Sequence, residues 1–256
     1  MGGTLFELSL LGGAIERRYR RLRPDVDALP WKTLDVRALP PKLVERARRF
    51  WTMSAFTEHR AAAAAAATVA ALIAARAPLD LIAVASQFVI EELAHVEISA
   101  RIAGALGGGV PLIHDPHALV TRPDPALAPL TQAAELVVRV YCVAESYSLA
   151  MLSPGRDGGH PLLRAALARI KKDEAAHGRF GWIFLDWADE LLDDAARAHL
   201  ARVAAACVAE LERHIATPAP ERDETFGWVP RNFRERATRA LDEEIRAPLV
   251  ERGLLP

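Results

Sequence analysis

The chain has 256 residues, 51% hydrophobic and 25% charged, the balance of an ordinary soluble globular protein with room for one well-buried core. A formal net charge of −1 and a near-neutral pI provide no global field to recruit nucleic acid or an anionic membrane. Two cysteines, Cys142 and Cys207, are too few for a disulfide framework or a thiolate metal site.

Pro24, Pro30 and Pro40 interrupt the first forty residues, so a short helix near 4–22 and then an extended arm are expected over 1–41. Within it, the run from Arg17 to Arg23 reads as a solvated basic surface. Residues 4–15 are apolar but carry neither the basic flank nor the cleavage signal of a leader. A first long helix is expected over 42–76, ending before Pro78, and a second over 79–106, ending at Gly107-Gly108-Gly109. The longest apolar run, Ala61 to Ala75 in the first of them, is shorter than the roughly 18–20 residues that span a bilayer. No membrane segment is therefore expected, and a cytoplasmic location is the default.

The segment 107–126, with four prolines and three glycines, reads as irregular. Its 20 residues, at roughly 3.3 Å each, are enough to cross the length of a helix bundle. A third helix follows over 127–152, ending at Pro154-Gly155, and a fourth begins at Pro161, a favoured first-turn position, and runs to 191. A fifth covers 194–216, a polar loop 218–230, and a last helix 231–248. Cys142 and Cys207 fall on apolar stretches of the third and fifth, where cysteine serves as a small hydrophobe. No stretch reads as strand. The expected class is all-α, with a four-helix bundle over 42–192 and C-terminal helices over 193–256 packing on it, one structural domain overall.

Two Glu-x-x-His tetrads stand out: Glu92-Leu93-Ala94-His95 on the second helix and Glu174-Ala175-Ala176-His177 on the fourth. Each has a lone glutamate one helix upstream, Glu58 and Glu145, at spacings of 92 − 58 = 34 and 174 − 145 = 29 residues. The halves thus repeat. Residues i and i+3 share a helical face, so each tetrad presents its carboxylate and imidazole together. Each of these groups interrupts an otherwise apolar stripe, as in Trp51, Ala55, Glu58, Ala62, Ala65 or Leu81, Val84, Phe88, Glu92, His95. Buried carboxylates are costly unless paired or metal-bound. Two divalent ions would neutralise four carboxylates and leave two neutral imidazoles, so the charge sum points to a dinuclear site.

On Glu58, Glu92, His95, Glu145, Glu174 and His177, residues 42–192 resemble the ferritin-like di-iron carboxylate superfamily. The resemblance implies one tetrad per iron, Glu58 and Glu145 as the lone-helix ligands, and one or both tetrad glutamates bridging. Oxygen and imidazole ligands suit two Fe ions, with Mn or a mixed Mn/Fe pair also within their chemistry. Acidic residues precede both tetrads, and in related oxidases such a residue accepts the outer N–H of a bound histidine. Asp173 is the better placed for that role; the default for Glu91 is a solvated side chain. His59 and Glu97 are turned away by the helical angle.

Within the superfamily, Ser99 stands four residues after His95, where a reductase subunit's radical tyrosine would be expected. Ile170 occupies the place of an N-oxygenase's third histidine, and no Cys-x-x-Cys pair offers a rubredoxin module. What the resemblance then implies is an oxygenase or oxidase that uses O2 as co-substrate on a small organic substrate, with electrons from an external reductase. Homodimerisation through helix faces is common in the superfamily. Alternatives are a ferroxidase, a rubrerythrin-like peroxide scavenger and a tRNA-modifying hydroxylase. Ala62, Ala65 and Gly181 leave space beside the ligands that could admit a substrate, and Trp51, Phe88 and Tyr141 either line that space or serve as ordinary core packing.

Overall fold

The computed structural model describes residues 3–152, 159–217 and 232–256. Most of them are helical, and the only strands among them are two residues long: β1 (Thr4–Leu5) pairs antiparallel with β2 (Ile113–His114). No helix among them is long and apolar enough to cross a membrane.

Helix α1 (Gly13–Leu22) is shorter than the expected 4–22. Gly12 and Gly13 take φ of 84° and 61°, in the left-handed region that favours glycine and breaks a helix. The residues between β1 and Gly12 have no regular structure, and Phe6 among them packs on Phe56 at 5.2 Å. A short turn, α2 (Pro24–Asp27), follows, and Arg23 between the two helices is 1% exposed. The basic run is therefore not uniformly solvated. Arg23 lies 2.6 Å from Glu97 and 2.9 Å from Asp27, which offsets the cost of burying its charge.

Helices α3 (Pro41–Ala74) and α4 (Leu79–Ala105) pack along one another. Proline opens α3 at a position where no N–H is required. The turn between them closes through Ala77 N–H donating to Leu72 O at 3.0 Å, with Arg76 in a left-handed conformation (φ 56°). Ala55, Ala62 and Ala65 on α3 are buried and let the helix backbones approach closely. The stripe on α4 runs through Ala85 and Phe88 to Glu92 and His95; Val84, expected on it, is exposed.

The third helical rod is not uniform. It comprises α5 (Pro129–Val137), a π-helical segment (Val138–Glu145) and α6 (Ser146–Met151). In the π segment hydrogen bonding runs from i to i+5, which adds a residue to the turn that carries Tyr141 and Glu145. The α-helical periodicity assumed from sequence does not describe this stretch. Helix α7 (Pro161–Ala188) starts with His160 Nδ1 accepting from Leu162 N–H at 3.2 Å and is extended by a 3-10 turn, Asp189–Leu191. Helix α8 (Asp194–Ala216) is capped by Asp193, which accepts from Ala196 N–H at 2.8 Å. The chain closes with α9 (Phe233–Arg239), a second π segment (Ala240–Arg246) and α10 (Ala247–Glu251). Pro154-Gly155, the loop 218–230 and the expected helix start at 231 lie outside the described residues.

Two apolar clusters flank the middle of α4. One joins Phe88 to Tyr141, Phe180, Phe184, Leu200 and Leu249; the other joins Ile98 to Trp51, Val26, Leu162 and Ile170. Glu92 and His95 fall between them on α4. Cys142 and Cys207 are free and buried, small apolar fillers as expected.

Candidate metal centre

Four helical stretches deliver six buried side chains to one place: Glu58 from α3, Glu92 and His95 from α4, Glu145 from the end of the π segment, Glu174 and His177 from α7. They form two groups that share members. Glu58, Glu92, His95 and Glu174 make one; Glu92, Glu145, Glu174 and His177 make the other, and within each the ligand atoms all lie within 4.8 Å of one another. Each group could hold a metal ion, and Glu92 and Glu174 belong to both.

The imidazoles turn Nδ1 inward. His177 Nδ1 is 3.0 Å from Glu92 Oε1 and 3.4 Å from Glu174 Oε2; His95 Nδ1 is 3.5 Å from Glu92 Oε2 and 3.4 Å from Glu174 Oε1. Despite this proximity, both Glu92 oxygens, Glu174 Oε2 and the two Nδ1 atoms are buried with no hydrogen-bond partner. Buried polar atoms are almost always satisfied. A set of orphans converging on one spot, all of them oxygen or imidazole nitrogen, fits hard or borderline divalent ions such as iron or manganese.

The outward nitrogens are held crosswise. His95 Nε2–H donates to Asp173 Oδ2 at 3.0 Å, and His177 Nε2–H to Glu91 Oε2 at 2.9 Å. Each histidine of one tetrad thus leans on the acidic residue preceding the other tetrad. Glu91, whose default from sequence is a solvated side chain, faces His177 because helix α4 turns it toward α7. Arg169 grips Asp173 from one turn away and also grips Asp25 of α2, whereas Gln87 Nε2–H donates to Glu91 Oε1 at 2.6 Å. Sequence reasoning missed these braces. Arg169 and Gln87 each stand four residues before the acid they hold, a readable helical spacing; Asp25 depends on how the arm folds back and carries no local signal.

Electrostatics divide the cluster. Burial, with the neighbouring Glu92 adding to it, pushes Glu58 well above the usual carboxylate range, and burial and Glu174 do the same to Glu145. Burial would also raise Glu92, but His177 and His95 overcome it and hold that carboxyl down to about 2. Burial disfavours a charged imidazole, yet Glu174, Glu91 and Glu92 raise His177 to about 12, and Glu92 and Glu174 raise His95. A metal-free cluster therefore carries protons where ions would sit.

Of the candidate lining residues, Phe88 packs tilted against His177 at 4.2 Å, and Tyr141 packs on Phe88 and Phe180 at 5.6 and 5.0 Å. The Tyr141 hydroxyl is buried without a partner, and burial together with Glu145 holds its pKa well above the phenol range. Gly181 leaves no free space: a Cβ there would meet Cys142 Sγ at 2.7 Å and Tyr141 Cβ at 2.9 Å. Its role is close helix contact. Trp51 lies in the apolar cluster beside Phe50, at 5.4 Å, and Ala62 and Ala65 are buried on α3. Ser99 hydrogen-bonds Ser54 at 3.1 Å, and Ile170 is buried in apolar packing. Glu97 pairs with Arg23, and His59 packs on Phe6 at 5.5 Å, so neither joins the cluster.

Compared with known proteins, the chain matches no family model, no curated protein and no solved structure.

Proposed function

We propose that the chain is a ferritin-like di-metal carboxylate protein that uses O2 to oxidise a small organic substrate. The observation that carries this reading is the pair of four-residue ligand groups sharing Glu92 and Glu174, with their orphaned atoms converging. Glu58, Glu92, His95 and Glu174 would hold one ion and Glu92, Glu145, Glu174 and His177 the other. A bound pair of iron ions would supply redox chemistry toward O2. The chain's own part is to fix the ligands and exclude water. Asp173 and Glu91 hold each histidine in the tautomer that leaves Nδ1 free to ligate. Phe88 and Tyr141 present an apolar wall beside His177, suited to a substrate that displaces no charge. Electrons would come from a separate reductase.

Metal analysis of the purified chain is expected to return two ions, iron or manganese, the Glu92→Ala variant, which damages both groups, less than one, and the His177→Ala variant, which leaves the other group complete, about one. If both variants keep two ions, the ligand assignment is wrong. Anaerobic loading with Fe(II) followed by O2 separates the reactions. Stoichiometric O2 uptake that stops without growth of ferric mineral, and proceeds to an oxidised product when an organic substrate is supplied, supports the oxygenase reading. Continued mineral growth identifies a ferroxidase instead.

A further inference from the structure

The two histidines are held alike at their first contact and differently beyond it. Behind His95, Asp173 is 8% exposed and is gripped by Arg169, which is 14% exposed and is in turn gripped by Asp25 of the N-terminal arm. The same arm holds α4 on both sides of His95. Tyr19 Oη–H donates to Leu93 O at 3.2 Å, Arg23 pairs with Glu97 at 2.6 Å, and Asp27 pairs with Arg101 at 2.8 Å. Behind His177 the chain of contacts is short: Glu91, then Gln87, which is exposed.

We propose that Arg169 and the N-terminal arm act as positioning elements that make the two metal positions unequal. The Glu58–His95 position is the tight one, and the Glu145–His177 position is the exchangeable one. This rests on the di-metal reading above. Metal affinity depends on how much the ligands must reorganise to bind, and a carboxylate behind a ligating histidine sets that cost. Asp173 cannot swing from His95 without breaking a charge-assisted contact to Arg169 in a buried setting. Arg169 cannot follow it without releasing Asp25. Behind its bond to His177, Glu91 is held among the described residues by the neutral amide of exposed Gln87, and Glu145 ends a π-helical segment whose turn departs from regular helix.

The test is calorimetric titration of the metal-free full chain with Mn(II). Two binding steps are expected, separated by at least about tenfold in Kd. Arg169→Gln should weaken the tighter step by about 10-fold or more, the scale found for residues that support metal ligands, and leave the weaker step in place. Gln87→Ala should weaken only the weaker step. Asp25→Asn, whose side chain is 46% exposed and whose loss the fold should tolerate, should act in the same direction as Arg169→Gln and keeps the test decisive if that variant does not fold. A second readout is the Nε2–H resonance of His95 in the Zn(II)-loaded, 15N-histidine-labelled chain. It should exchange faster with solvent in Asp25→Asn, with that of His177 unchanged. Two ions bound with equal affinity, or Asp25→Asn and Arg169→Gln weakening both steps alike, overturns the inference while leaving the di-metal reading intact. No Mn(II) or Fe(II) binding at all removes both.

Discussion

Four side chains in the cluster have pKa values raised by the fold, Glu58, Glu145, His95 and His177, and metal ions bound there would have to displace their protons. Native protein thus binds more protons than unfolded chain from above about pH 4.5, the ordinary value for the glutamates, and from above 6.5 for the histidines. Where the native state holds the excess, stability falls as pH rises, by about 1.4 kcal/mol per pH unit for each such proton. Glu92, held near 2, contributes in the opposite sense, and only below about pH 4.5. Metal-free protein should therefore lose stability between pH 6 and 9. The loaded protein should show the reverse trend, because metal competes with those protons. Thermal melts at several pH values with and without Mn(II) would reveal the two slopes; parallel slopes would mean that the cluster is not the metal site. At the same scale, two glycines one turn apart on α7 should respond oppositely to alanine. Gly181→Ala drives a methyl into Cys142 and should cost about 1–3 kcal/mol. At Gly178 the nearest atoms stand 3.6 Å or more from a new Cβ, so Gly178→Ala should be neutral or add up to about 1 kcal/mol through helix propensity. Urea denaturation of both variants distinguishes packing from propensity.

At the scale of elements, the four long helical stretches were legible because their apolar stripes follow the α-helical period and their ends carry proline or glycine. The cluster residues were legible for the same reason: carboxylates and imidazoles stand out on an apolar face. Three features were not. The π segment leaves no periodic signature that sequence can separate from α-helix, though the β-branched Val137, Val138, Val140 and Val143 around it weaken α preference. The pairing of β1 with β2 joins residues more than a hundred positions apart through only two residues a side, too short for alternation to show. Arg23 looked like one arginine among many, since burial depends on where α4 places Glu97. Its consequence is measurable. Arg23→Met removes the cation 2.6 Å from Glu97 and leaves it only Arg101 at 3.5 Å, in a setting where Glu97 is 12% exposed, and should destabilise the protein by about 1–3 kcal/mol. Chemical denaturation would register this, and limited proteolysis should show the first forty residues cut before the rest.

For the whole molecule, the site is the place where separate parts of the chain are obliged to agree. Its side chains come from α3, α4, the π segment and α7, and each of the two apolar clusters takes residues from α4 and α7. The crosswise bonds, His95 to Asp173 and His177 to Glu91, have a mechanical consequence for α4 and α7. Sliding one helix along the other by one turn, about 5.4 Å, would carry both bonds, at 3.0 and 2.9 Å, out of hydrogen-bonding range at once. The pair resists shear as two hooks facing opposite ways resist a pull in either direction. Opening of the site must then proceed by separation of another wall, and the π segment, where regular helical bonding is already interrupted, is the wall to yield. Hydrogen exchange should show the amides of 88–99 and 170–181 opening only with global unfolding, metal-free or loaded. Those of 138–145 should exchange through smaller openings that metal suppresses. Equal exchange in all three segments would mean that the hooks do not govern how this protein breathes.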